Sequence, residues 1–234
     1  AFLHLNLDDR RPAGSFVITN TTQAAERYRI QAKHYILGPR GELTLEPEGE
    51  SSLVPWLKFN PKEFTLPPQS KRVVRFVVIP RGKVADKEYW AFIQLESLKQ
   101  NVGQGTDAAG RTMKIHVVPR ILVPIFASKG EITHAASIDD LTIQTQGTQN
   151  EIEAIVKNKG QGHLLVSGTY EILNESSMII DSGPIGRTYI LPGAERIFRS
   201  KVTVPVSTQP YTVKVSYTAP QLQMPLTKTT QHAF

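Results

Sequence analysis

Short runs of apolar and β-branched residues, broken by turn formers, extend along this 234-residue chain. The clearest is Lys71–Ile79, KRVVRFVVI, whose β-branched and aromatic content predicts an extended strand. It follows Phe64-Thr65-Leu66 and the pair Pro67-Pro68, where fixed φ and missing donors turn the chain. The same reading predicts strands at Phe16–Asn20, Arg27–Ile36, Tyr89–Leu95, Met113–Phe126, Leu141–Thr145, Ile152–Lys157 and Leu164–Leu173. Further strands are predicted at Met178–Ile180, Thr188–Leu191, Arg196–Val204, Tyr211–Tyr217 and Leu222–Leu226. Asn20, Gly38, Gly41, Gly147, Gly160, Asn174, Gly183 and Pro192-Gly193 punctuate them. No window of about 11 residues carries a helical apolar period. The pattern predicts an all-β chain of two immunoglobulin-like β-sandwich domains.

The boundary is predicted in Ala127–His134, ASKGEITH, where a long apolar strand gives way to small and charged residues. Residues 1–127 and 128–234 are then each the size of one such sandwich. The halves echo each other. Val17-Ile18-Thr19-Asn20 parallels Ala154-Ile155-Val156-Lys157-Asn158, and Leu66-Pro67-Pro68 parallels Leu191-Pro192-Gly193. Lys99–Arg111, KQNVGQGTDAAGR, is Gly-rich and polar and is expected as a loop between two strands.

Composition narrows the classes. A hydrophobic share of 40% can fill a core, and no apolar run approaches the roughly 18 residues of a spanning helix. The chain is therefore not expected to be membrane-embedded. A formal net charge of +6 suits an anionic partner. The aromatics, 8% of the chain, are not interleaved with arginine as a nucleic-acid surface requires, so no nucleic acid is expected. The absence of cysteine removes disulfides, thiolate nucleophiles and cysteine metal sites. The first residue is Ala1, as in a mature exported protein after signal removal or a trimmed chain.

Catalytic chemistry finds no foothold in the pattern. Six histidines, at 4, 34, 116, 134, 163 and 232, lack HxH or HExxH spacing. Asp8-Asp9 and Asp139-Asp140 are neighbours in turn-like contexts, and adjacent strand residues face opposite ways. Gly103-Gln104-Gly105 lacks the lysine-serine ending of a phosphate cradle. No catalytic residue, cofactor or metal site is expected.

In order along the first half, several segments resemble the PapD-like periplasmic chaperones of pilus assembly. Phe16-Val17-Ile18-Thr19-Asn20-Thr21 is similar to that family's early strand ending in Asn. Phe64-Thr65-Leu66-Pro67-Pro68 with Val73-Val74-Arg75-Phe76 resembles its proline-turn and basic strand. Glu88–Glu96 resembles the strand that follows, and Arg120-Ile121-Leu122-Val123-Pro124-Ile125-Phe126 the last strand of its first domain. The second half resembles the family only as a generic sandwich.

The resemblance implies a periplasmic protein whose two domains meet at an angle. It lends a strand to a pilin or fimbrial subunit that lacks one, with main-chain hydrogen bonds supplying affinity. Delivery to an outer-membrane usher follows from the same resemblance. The lent strand would present Met113, Ile115 and Val117, which share one face at strand spacing. That face either enters a client's groove or packs in the protein's own core. Pro119 would mark a bend where the lent part meets the native part. The resemblance further implies basic residues that hold the subunit's C-terminal carboxylate. Arg120 resembles such an anchor, and Arg75, His4, Arg10 and Arg11 are candidates for the surrounding cleft. The alternative function is a structural two-domain module of a surface or adhesive assembly.

Overall fold

The computed structural model describes residues 2–46, 48–98, 101–106, 112–146, 149–202 and 210–232. Every element among them is a strand, so no helix among the described residues is long and apolar enough to cross a membrane. The chain divides into two compact units, one of residues 1–35 and 45–130, the other of residues 36–44 and 131–234.

The first unit holds β1 (Leu3–Asn6), β2 (Ala13–Thr19), β3 (Glu26–Leu37), β4 (Leu43–Glu46), β5 (Leu57–Asn60) and β6 (Glu63–Leu66), with the ends of β3 and β4 extending into residues 36–44. It continues with β7 (Lys71–Val78), β8 (Glu88–Ser97), β9 (Asn101–Thr106), β10 (Thr112–Val117) and β11 (Arg120–Ser128). One sheet runs β1-β11-β8-β3-β4, with β6 also pairing to β3. The other runs β2-β7-β5. On β7, Val74, Phe76 and Val78 point inward while Lys71 and Arg75 stay exposed, the alternation of a strand with one wet face. β8 is buried on both faces, as its run of Tyr89-Trp90-Ala91-Phe92-Ile93 demands. Tyr89, Ala91 and Ile93 of β8 form the core together with Ile30, Leu53, Phe64, Leu66, Val74, Phe76, Val78 and Ile125.

The second unit holds β12 (Ala136–Gln146), β13 (Gln149–Asn158), β14 (Leu164–Leu173), β15 (Ile179–Ile190), β16 (Glu195–Val202), β17 (Tyr211–Thr218) and β18 (Leu226–His232). Its sheets run β12-β13-β16 and β15-β14-β17-β18. β17 alternates strictly, with Tyr211, Val213, Val215 and Tyr217 buried against Ile152, Val156, Val166 and Ile172. Within this unit the 36–44 segment lies on β16, where the Ile197 amide donates to the Pro39 carbonyl at 2.8 Å.

Four strand assignments differ from the sequence pattern. Met113–Phe126 is two strands, because Val118-Pro119 interrupts it and proline has no N–H to continue the ladder. The Lys99–Arg111 loop is replaced over residues 101–106 by β9, pairing through Gly103 and Gly105; residues 99–100 and 107–111 lie outside the described residues. Ile179-Ile180 and Thr188–Ile190 belong to one strand, β15, carried past Gly183-Pro184 by irregular register, with Met178 and Leu191 just outside it. Leu222 sits in a turn, its amide bonded to Ala219, so the last strand begins at Leu226. The short strands β1, β4 and β5 carry too few residues for their alternation to stand out.

Candidate functional site

The edge of the larger first-unit sheet is built from two strands of unequal length. β11 pairs antiparallel with β8 along its whole course, from Arg120 opposite Glu96 to Ser128 opposite Glu88. β1 lies parallel on the other side but covers only Ile125–Ser128. The direction of the backbone groups follows from two bonds. The Pro119 carbonyl accepts from Ser97 on the β8 side at 3.2 Å, and the Ser128 carbonyl accepts from Leu7 on the β1 side at 2.7 Å. Alternation then directs the main chain of Arg120, Leu122 and Pro124 to the outside. No described strand meets Arg120 and Leu122 there, whereas the Leu3–Ile125 register gives the Pro124 carbonyl to Leu3 of β1. Arg120 and Leu122 present N–H and C=O to that edge.

The side chains beside this edge change from buried to wet along the strand. Ile125 is fully buried and Val123 packs against the same core. Ile121, next on that face, is 58% exposed. Beyond it, Met113, Ile115 and Val117 occupy alternate positions of β10, opposite Gly105, Gly103 and Asn101 of β9. The β9–β10 ladder forms its own two-stranded sheet. It continues the β8–β11 hairpin out of register: between Glu96↔Arg120 and Asn101↔Val117 there are four residues on one side against two on the other.

The basic candidates do not all converge. Arg120 is exposed and its Nε donates to Glu96 Oε1 at 2.8 Å across the ladder. His4 lies at the opposite end of β11, with Nε2 2.8 Å from Ser128 Oγ and 3.7 Å from the buried carboxylate of Glu88. Both contacts run through one ring nitrogen, whereas a nucleophile relay places serine and acid on different nitrogens. Here the histidine fastens β1 to β11. Asp8, read from sequence as a solvated turn residue, does similar work: it accepts from Lys129 and from the Gly130 amide at 2.9 Å. The Lys129 hydrogen bond and the Gly130 amide hold its carboxyl below the usual carboxylate range.

Arg10, Arg11 and Arg75 do come together. They line a groove of about 650 Å³ at the end of the β2-β7-β5 sheet, with Lys58 beside them and Phe59 and Phe76 in its wall. Arg75 reaches it because β7 turns its odd positions outward there. Arg10 and Arg11 reach it from the loop joining β1 to β2. Neither His4 nor Arg120 lines it. The sequence signal was the doubled arginine, but β5, which supplies Lys58 and Phe59, was not legible as a strand. Among the described residues no group of histidines and carboxylates could hold a metal ion.

No protein-family model matches the sequence, and no curated protein matches it. Solved structures do. A chaperone–tip adhesion subunit complex, CsuC–CsuE from the archaic chaperone-usher Csu pili of Acinetobacter baumannii, matches with a TM-score of 0.53 and 13% identity, over 97% of this chain and 94% of that one. The CupB2 chaperone of Pseudomonas aeruginosa matches with a TM-score of 0.50 and 10% identity, over 99% and 96%. The class 5 fimbriae chaperone CfaA matches with a TM-score of 0.50 and 14% identity, over 97% and 95%. At such identities the likeness is one of fold. The chain has the two-sandwich fold of the pilus chaperones.

Proposed function

We propose that the protein is a periplasmic chaperone that captures pilin subunits by lending them a β-strand and passes them to an outer-membrane usher. The observation that carries the reading is the uncovered stretch of β11, where Arg120 and Leu122 offer free backbone groups beside an exposed Ile121. An open, apolar edge invites pairing and is a hazard in a protein without a client. In a chaperone it is the working surface, because an added strand takes its affinity from main-chain bonds and its register from alternate side chains. The fold shared with CsuC, which is held with a tip adhesion subunit in its complex, supports the same reading.

The lent segment is β10 and the start of β11, with Met113, Ile115, Val117 and Ile121 entering the client's groove. Arg120 is the carboxylate anchor. Its guanidinium already holds one carboxylate, Glu96, and that exposed pair is weak enough for a client's terminus to compete. Co-expression with candidate fimbrial subunits, followed by isolation of the complex, tests the proposal. A stoichiometric complex that Ile121→Asp abolishes, in a variant with an unchanged circular dichroism spectrum, is the expected result. A complex indifferent to that change would overturn it.

A further inference from the structure

The groove at the end of the β2-β7-β5 sheet shares no residue with β10 or β11. We infer that it is a second binding site, for an extended acidic polypeptide segment that sets an apolar side chain between its carboxylates. Arg10, Arg11, Arg75 and Lys58 line it, against Asp9 as the one acidic residue. Four arginines elsewhere are held by carboxylates: Arg27 and Arg29 meet Glu63, Arg120 meets Glu96, and Arg199 meets Glu153. Among the described residues, Arg10, Arg11 and Arg75 have no such partner. Unpaired guanidinium groups gathered at one hollow are matched by planar carboxylates, which they hold bidentately.

The rest of the groove decides what carries those carboxylates. Phe59, Phe76, Ile79 and Pro80 give it an apolar wall, which a phosphate or other small anion would leave unused. Its volume falls within the roughly 300–1,000 Å³ of ordinary ligand sites, so a side chain or two fills it. β5 ends its sheet, and no described strand pairs with its outer side. Lys58, Phe59 and Asn60 of that edge strand line the hollow, so a polypeptide seated there has an open strand edge beside it, which an acyl chain cannot use. Capture of a subunit by β11 does not involve this site, so the two proposals stand or fall separately.

The test uses the full chain and a fluorescein-labelled decapeptide of alternating glutamate and leucine, followed by anisotropy. The probe is expected to bind, and added salt to weaken it. The triple variant Arg10→Ala/Arg11→Ala/Arg75→Ala alters exposed side chains only, and should lose about tenfold or more in affinity while still capturing subunits. Glutamine in place of glutamate, or serine in place of leucine, should weaken the peptide to a similar degree. Unchanged binding by the triple variant would mean that the peptide sits elsewhere, the β11 edge included, and overturns the site. Equal binding of the glutamine or serine peptide, or full displacement by inorganic phosphate, overturns the ligand chemistry.

Discussion

Asn20 and Asn158 hold the same position in the two sandwiches and make the same bonds. Each is fully buried at the end of a strand. Asn20 donates from Nδ2 to the carbonyls of Ala24, Leu66 and Pro67, at 2.8, 3.1 and 3.0 Å. Asn158 donates to Gly162 and Ile190, at 2.8 and 3.0 Å. Each Oδ1 accepts from an amide two residues on, Thr22 or Gly160. A local turn is thereby tied to a distant one, and buried carbonyls that the sheets cannot reach are satisfied.

Replacing either asparagine by alanine should cost its own unit about 2–3 kcal/mol, since several buried groups lose a partner at once. Aspartate should be no better, because an oxygen would then face the carbonyls. Urea denaturation with a probe in each unit checks this. The expected outcome is one shifted transition and one unshifted.

The pairing also marks how far the internal repeat was legible. The echo between Asn20 and Asn158 stood in the sequence, because both close an apolar strand. The second echo was misplaced by one residue. Asn20 donates its amide to Ser70 and Asn158 to Ala194, both at 2.9 Å. Ser70 thus matches Ala194, Pro68 matches Pro192, and Gln69 matches Gly193. Leu66-Pro67-Pro68 and Leu191-Pro192-Gly193 look alike in letters, but backbone geometry sets the true alignment, and letters carry it only indirectly. Gln69 has φ of 54° and Gly193 φ of 73°, the same left-handed turn. The alternating runs gave the sandwich class and most strands. The groove stayed hidden because it joins the β1–β2 loop to β5 and β7, residues far apart along the chain.

Gly193→Ala should cost about 1 kcal/mol, through the left-handed φ alone. A Cβ at this position meets nothing within 4 Å, so no clash adds to that cost. Gln69 carries the same strain in the first unit and offsets it with bonds from Nε2 to the carbonyls of Thr21 and Thr22, at 2.7 and 3.2 Å. Gly193→Asn should therefore lose less than Gly193→Ala in thermal or urea melts, since asparagine tolerates this region.

Tyr217 is fully buried in the second core, and its hydroxyl has no hydrogen-bond partner among the described residues. Burial pushes its ionisation far above the ordinary tyrosine range. The fold thus holds the neutral form, while the unfolded chain ionises near pH 10. This contribution is complete below about pH 10 and falls as pH rises further. Tyr217→Phe should gain about 1 kcal/mol at neutral pH, by removing an unsatisfied group. It should also flatten, without abolishing, the alkaline loss of stability, since burial raises Tyr170, Tyr189 and Tyr211 too. Urea midpoints between pH 8 and 11, compared for the two proteins, measure both effects.

The strongest test of strand lending contrasts two isoleucines on one face of β11. Ile121 is 58% exposed and Ile125 is fully buried, four residues along the same strand. Aspartate at 125 buries an unpaired charge in the protein's own core and should unfold the first unit. Aspartate at 121 meets water in the free protein and should leave its melting unchanged within about 0.5 kcal/mol. A client groove closing over the strand would desolvate that charge, so Ile121→Asp should lose subunit capture while keeping the fold. Arg120→Ala, which frees Glu96 beside the same edge, should weaken capture without abolishing it, because the main-chain bonds remain. Pull-down of a fimbrial subunit, read beside circular dichroism of each variant, separates these outcomes. If Ile121→Asp captured subunits as well as the unaltered protein, the uncovered edge of β11 would not be the surface that is lent.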